Sequence, residues 1–302
     1  MDWQYLAELF LGGLTRGSIY ALIAIGYTMV YGIIELINFA HGEIYMLGAF
    51  TGLIVASVLG ILGFPPAAIL ILAALAAIIY CAGYGYTMEK IAYKPLRGAG
   101  RLSPLISAIG MSLFLQNYII LAQTSDFLPF PSLIPEFAFL DPVAHVFSSS
   151  SFMIVLASSV SMAALTLFIK YTKMGKAMRA TAQNRKMAML LGINADKIIS
   201  ITFLLGSSLA ALGGVLIASH VGMVNFAVGF LAGIKAFTAA VLGGIGSIPG
   251  AMLGGLFLGL SESFATGYIS SDYEDVFAFT LLVVFLIFRP SGIMGKAKVE
   301  KV

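Results

Sequence analysis

The chain has 302 residues, of which 60% are hydrophobic and 10% are charged, and its net charge is +3. A water-soluble domain carries roughly 25% charged residues, so a polar shell over most of the surface is excluded and lipid is the expected solvent. The small positive charge gives no footprint for nucleic acid, and Cys81, the only cysteine, excludes a disulfide framework or a multi-cysteine metal site within the chain.

Met1 to Gln4 lack a basic run, and Glu8 and Arg16 interrupt the first apolar stretch, so no removable signal peptide is expected. A membrane span needs about 20 mainly apolar residues. Spans are expected over 18–34, 41–59, 66–88, 105–122, 152–169 and 198–219. Two shorter pieces, 230–242 and 251–260, precede a last span over 276–288. The residues before Arg16 read either as an interfacial helix or as part of the first span. The expected fold is all-α, a polytopic transmembrane bundle of about 8–10 spans. It forms one domain over 1–302.

Charge placement sets the expected orientation. Lys90, Lys94, Arg97 and Arg101 fall between the third and fourth spans, and seven more Lys and Arg between Lys170 and Lys197. Arg289, Lys296, Lys298 and Lys301 close the chain. The positive-inside rule places these segments and the C-terminus in the cytoplasm. The loop over about 123–151 has acids but no Lys or Arg, so it is expected outside. Nine crossings put the N-terminus on the periplasmic side.

Between spans one and two, Glu35, Asn38, His41 and Glu43 stand in an apolar context. Ionisable groups at membrane depth are expensive and face protein or water. If the segment is helical, Glu35, Asn38 and His41 share a face, and Gly42 permits a break or a close backbone approach. Two readings stand. The carboxylates are wet in a cytoplasmic connection, with His41 a satisfied interface residue, or the segment is partly unwound and lines a pathway.

The loop over about 171–197 is dominated by helix formers from Lys176 to Leu191 and predicts one helix there. Gly192 fits the position just past its end and Asn194 the N-cap of the next span. Met178, Ala182 and Met189 suggest an apolar face; Lys176, Arg179 and Lys186 suggest a basic one. Spacing leaves open a helix lying on anionic lipid and a helix docking into a soluble partner.

From Leu242 to Gly250 the chain reads LGGIGSIPG, which stops regular helix. Gly243, Gly244 and Gly246 therefore mark either a re-entrant site or a tight hairpin between glycine-rich helices. The run lacks the Gly-Lys-Ser/Thr ending of a phosphate loop, so ATP hydrolysis is not expected of this chain.

Three strings carry a family resemblance. INFAHGEIYMLGA, starting at Ile37, strongly resembles the LivH-type permease of branched-chain amino acid ABC importers, as does KAFTAAVLGGIGSIPGAMLGG from Lys235. Arg179-Ala-Thr-Ala182 with Met189-Leu-Leu-Gly-Ile193 looks like the coupling loop of importer permeases, with Arg179 where the general motif opens on Glu. The resemblance implies that Lys176, Arg179, Ala180, Ala182, Leu191 and Gly192 couple to an ATPase, and it marks Asn38, His41, Gly42, Glu43, Gly243, Gly244 and Gly246 as pathway candidates. It implies a second, LivM-like permease, two ATPase subunits that bind the ATP and Mg, a periplasmic binding protein, and residence in the bacterial inner membrane. No cofactor is expected in the chain itself. Members of the family also carry urea, amides and other amino acids, so branched-chain amino acids are the first expectation among several cargoes. An ion-coupled secondary transporter and an intramembrane enzyme using His41 with Glu43 are the rival classes.

Overall fold

The computed structural model describes residues 3–100, 102–144 and 146–295. Arg101, Lys296, Lys298 and Lys301 of the basic segments lie outside the described residues.

Eleven helices follow in order among the described residues: α1 Trp3–Ile34, α2 His41–Ile61, α3 Pro66–Met88, α4 Leu102–Ala122, α5 Ser149–Tyr171, α6 Lys173–Gln183, α7 Arg185–Leu190, α8 Ala195–Val221, α9 Val228–Gly243, α10 Ile248–Tyr268 and α11 Glu274–Phe288. Beyond Met88, α3 continues as a π-helical turn, Glu89–Tyr93, and a 3-10 turn, Lys94–Leu96. Among the described residues, seven helices are long and apolar enough to cross a membrane. The short ones, α9 and α11, have 16 and 15 residues.

Helices α1, α2, α8, α9 and α10 form the centre, with α3 against α2 and α8. Leu22, Ile23, Ala24 and Ile25 are all fully buried, so α1 is enclosed on every side. A helix apolar all round belongs in such a position. The α1–α10 crossing runs over glycine: the Gly17 and Gly259 backbones face each other, and Gly255 lies against Ala21. Small residues at four-residue spacing let helices approach closely when lipid gives them no hydrophobic drive to associate.

Polar ties hold the periphery. Lys235 reaches Glu274 at 2.7 Å, Asp275 at 2.8 Å and Glu262 at 3.4 Å, and Arg16 reaches Glu274 at 3.0 Å. This network joins α11 to α1, α9 and α10. At one end of the bundle β1 (Leu128–Pro129) pairs antiparallel with β2 (Met223–Val224), fastening the α4–α5 loop to the α8–α9 turn. The opposite end gathers the α1–α2 connection, the α3–α4 turn, α6, α7 and the α9–α10 hairpin.

Of the two readings for the residues before Arg16, the structure has them as part of α1. It corrects three sequence expectations. A single helix over 176–191 is not found: α6 and α7 are separated at Asn184, whose side chain caps Met187 N at 3.0 Å. The piece expected to be short over 251–260 is a full 21-residue helix. Residues 35–38 are not helical, so Glu35, Asn38 and His41 do not share a helix face.

Candidate translocation site and coupling end

Ile34 ends α1 and His41 starts α2, leaving a connection that is unwound over 35–38 and turned at Phe39–Ala40. Glu35 adopts a φ of 55°, the left-handed region, and is exposed. Asn38, His41 and Glu43 are buried, each at 2% exposure or less. The two carboxylates thus part company: Glu35 is at the surface and Glu43 is in the core.

Each buried group meets a different helix. Tyr93, in the π-helical turn, donates to Asn38 Oδ1 at 2.6 Å. The His41 ring stands edge-on to Tyr27 of α1, with centroids 4.9 Å apart, and its Nε2 has no hydrogen-bond partner among the described residues. Glu43 Oε1 accepts from Ser112 Oγ at 2.9 Å and Gln116 Nε2 at 2.8 Å, both on α4, while Oε2 has none. Gly42 is pressed against the Gly229 and Gly233 backbones, so a side chain there has no room. Four helices therefore meet through this one segment.

A second network lies at the α6–α7 end. Glu89, fully buried in the π-helical turn, pairs with Arg97 and accepts from Ser200 Oγ of α8 at 2.7 Å. Arg97 continues to Asp196 at 2.6 Å, and Asp196 also takes Lys94 and Arg185, each at 3.2 Å. Because Arg185 opens α7, this chain of charges ties the segment between α5 and α8 to the bundle. Beside it a cavity of about 540 Å3 is lined by Tyr31, Glu35, Leu36, Arg97, Leu105 and Arg185.

The α5–α6 elbow is built around Gly175, which lies against the Ile169 backbone, and Thr172, which caps Gly175 N at 3.0 Å. Arg179 donates to the Ile169 carbonyl, one of the unsatisfied acceptors at the end of α5. Met178 is buried against the bundle, whereas Lys176, Ala182 and Gly192 are exposed and Ala180 is half-buried. The expected apolar face is accordingly divided, with Met178 inward and Met189, Leu190 and Leu191 outward at 49%, 81% and 74% exposure. Gly192 has a φ of 82°, and the bonds Gly192 N to Met189 O and Ile193 N to Ala188 O close α7 in a Schellman motif. Asn194 caps α8 through Lys197 N at 3.0 Å.

The glycine run folds as a tight turn between α9 and α10. Gly243 ends α9 and Gly244 and Gly246 take φ values of 100° and 94°. Ser247 then caps α10 through Gly250 N at 3.1 Å. Gly243 faces the Gly250 backbone, Gly244 touches Gly292 and Gly295 of the C-terminal segment, and Gly246 borders a cleft with Gly32, Met178, Arg179 and Ala182. The structure thus separates Asn38–Glu43, in the core, from Gly243–Gly246, at the α6–α7 end.

Sequence reasoning passed over Tyr93, Ser112, Gln116, Glu89 and Asp196. Ser112 and Gln116 carried a signal, two polar side chains four apart on one face of a mostly apolar helix. Tyr93 and Asp196 carried none, since a tyrosine or an acid at a helix end is ordinary.

Close-packed membrane-length helices, a broken polar crossing in their midst and a charged elbow at one end define a membrane transport subunit. The model of the family described as "Branched-chain amino acid transport system / permease component" matches residues 9–286, and the chain belongs to that family. It is 52% identical to the high-affinity branched-chain amino acid transport system permease protein BraD of Pseudomonas aeruginosa, with 99% of each chain covered. It is 48% identical to the LivH permease proteins of Salmonella typhimurium and Escherichia coli, over 100% of this chain and 99% of theirs. Among solved structures, PsaBC from Streptococcus pneumoniae in complex with Fab shares the fold with a TM-score of 0.50 at 13% identity, covering 96% of this chain and 97% of that one.

Proposed function

We propose that this chain is the permease subunit of an ATP-driven importer of branched-chain amino acids, multi-pass in the bacterial inner membrane. The observation that carries the reading is full-length similarity, at 48–52% identity, to permeases named for that transport. Partners follow from the family: a second, LivM-like permease to complete the pathway, two ATPase subunits that bind the ATP and Mg, and a periplasmic binding protein. The basic end, with α6 and α7, faces the cytoplasm, the β1–β2 end faces the periplasm, and the N-terminus is periplasmic.

In this reading Asn38, His41, Gly42 and Glu43 border the pathway, where the helical backbone is broken and buried polar groups converge. Gly243, Gly244 and Gly246 keep the cytoplasmic end tightly closed. Lys176, Ala180, Ala182, Leu191 and Gly192 meet the ATPase, and Arg179 braces α6 on α5 so that motion of the coupling helix reaches the bundle. Reconstitution of the full complex in liposomes tests this. Leucine uptake should require ATP and the binding protein; uptake by this chain alone, driven by an ion gradient, would refute it.

A further inference from the structure

Helix α4 packs on α2 and the π-helical turn and stands off from α3. The groove left between α3 and α4 has a volume of about 1080 Å3. Ile79, Met88 and Ile91 line one wall, and Met111, Phe114 and Leu115 the other. Bonds between the walls close it at both ends. Ser107 Oγ donates to the Ala92 carbonyl at 3.0 Å at one end, and the Tyr80 and Tyr118 hydroxyls meet at 3.3 Å at the other. From Ser107 to Tyr118, α4 rises about 16 Å, at about 1.5 Å per residue. The hydrocarbon core of a bilayer is about 30 Å thick, so the groove has the depth of one leaflet. A membrane-spanning helix of a partner subunit needs the full thickness; it fits over the mouth but not into a groove closed at half that length. Acyl chains of one leaflet fit inside.

The Ser107–Ala92 end lies at the basic turn between α3 and α4. There Lys94 is paired with Asp196, and Arg97 with Glu89 and Asp196. Lys90 is in no ion pair among the described residues; its ammonium stands over the Tyr86 ring, 5.3 Å from the centroid. It comes three residues after Thr87 and one before Ile91, both on the groove wall. A lysine stem lying along apolar surface with its ammonium at headgroup level is the usual arrangement at a membrane interface. Basic sites between membrane helices on the cytoplasmic side take anionic headgroups.

We propose that the groove between α3 and α4 binds one anionic phospholipid of the cytoplasmic leaflet, with its acyl chains between the helices and its phosphate on Lys90. The leaflet rests on the orientation given in the importer reading above. The lipid fills the gap that leaves α4 without support on its α3 side, and so braces the helix whose Ser112 and Gln116 hold Glu43.

The test uses the assembled complex in nanodiscs doped with phosphatidylglycerol or phosphatidylcholine carrying a photoreactive group in the acyl chain, with crosslinks mapped by mass spectrometry. The outward residues Leu156, Val160 and Leu167 of α5 give the level for lipid in passing contact. Phosphatidylglycerol should label the groove walls above that level and above phosphatidylcholine. Lys90→Gln should lower the preference for phosphatidylglycerol about five-fold, the scale of one lysine beside an anionic surface. Gly83→Leu with Gly110→Leu fills the groove. Neither glycine has an atom within 4 Å of where its Cβ would stand, so this variant should fold, and its groove labelling should drop to the α5 level. Equal labelling by the two lipids, a preference unchanged in Lys90→Gln, or groove labelling no stronger than on α5 overturns the proposal. Labelling in the isolated chain that is lost in the complex assigns the groove to a partner subunit and also overturns it. The orientation is checked separately on spheroplasts with Lys90→Cys. Modification by an impermeant maleimide only after permeabilisation sustains it; modification from outside defeats the orientation, and the leaflet with it, whatever the crosslinks show.

Discussion

The Tyr93 hydroxyl donates to Asn38 Oδ1 at 2.6 Å, joining the π-helical turn to the unwound segment between α1 and α2. Both residues are at least 98% buried. π-Helical turns inside α-helices recur at functional sites because they aim a side chain that a regular helix would misplace. Here the turn directs Tyr93 inward at the break, and the same turn carries Glu89 to Arg97.

Tyr93→Phe deletes the donor and leaves Asn38 Oδ1 buried without its partner. The cost should be about 1 kcal/mol, between the averages for membrane interhelical bonds and for orphaned buried acceptors. Thermal unfolding of the purified subunit in lipid nanodiscs measures it. Asn38→Leu combined with Tyr93→Phe should cost less than the sum of the single changes, since neither orphan remains.

The Glu89–Arg97 pair predicts a larger asymmetry. Arg97→Met leaves a carboxylate buried and uncompensated, which should cost about 3 kcal/mol. Adding Glu89→Leu should restore most of that stability, because a buried ion pair replaced by apolar groups is near neutral. Loss of Arg97 also removes one of the three cations on Asp196 and leaves it Lys94 and Arg185, so limited proteolysis should cut modestly more readily between α5 and α8 in Arg97→Met.

Much of this architecture was legible in the chain. Pro66 at the first position of α3, Gly192 past α7 and Asn194 capping α8 all sit where their backbone chemistry requires. Other features were hidden for identifiable reasons. Arg185 to Leu190 are all helix formers, so propensity continues the helix through Asn184, whereas the Asn184 side chain starts a new one. The apolar run gave only a short piece over 251–260, but α10 extends to Tyr268, and its Gly255 and Gly259 are points where α1 approaches. Arg16 left the start of α1 open between two readings because its partner, Glu274, lies 258 residues away. Glu43 looked wet because hydropathy cannot distinguish a loop residue from one buried against α4 and α9.

The α1–α10 crossing gives a sharp contrast between glycines. A Cβ on Gly259 would run into the Gly17 backbone, which has no flexible side chain to yield. Gly259→Ala should therefore destabilise by about 1–3 kcal/mol, the range for overpacking. Gly83, in α3, has nothing within 4 Å of the same position. Gly83→Ala should leave stability unchanged or raise it by up to about 1 kcal/mol, as helix propensity alone dictates. Paired unfolding curves distinguish a packing glycine from an incidental one.

The exposed apolar end of α7 makes the final prediction. Met187, Leu190 and Leu191 are 54%, 81% and 74% exposed beside the charged Asp196 network, at the end proposed to face the cytoplasm. Large apolar groups gathered on a water-facing surface mark an interface. Their exposure also means that little folding energy depends on them, so Leu190→Glu and Leu191→Glu should change stability by no more than about 0.5 kcal/mol. The same substitutions place a charge in an apolar contact and should abolish copurification of the ATPase subunits. Ala182→Glu should act similarly from the exposed face of α6, with membrane insertion unchanged. If the ATPase is lost only in Ala182→Glu, α7 lies on lipid and the coupling contact is on the α6 face; retention by all three variants refutes the coupling role of both helices.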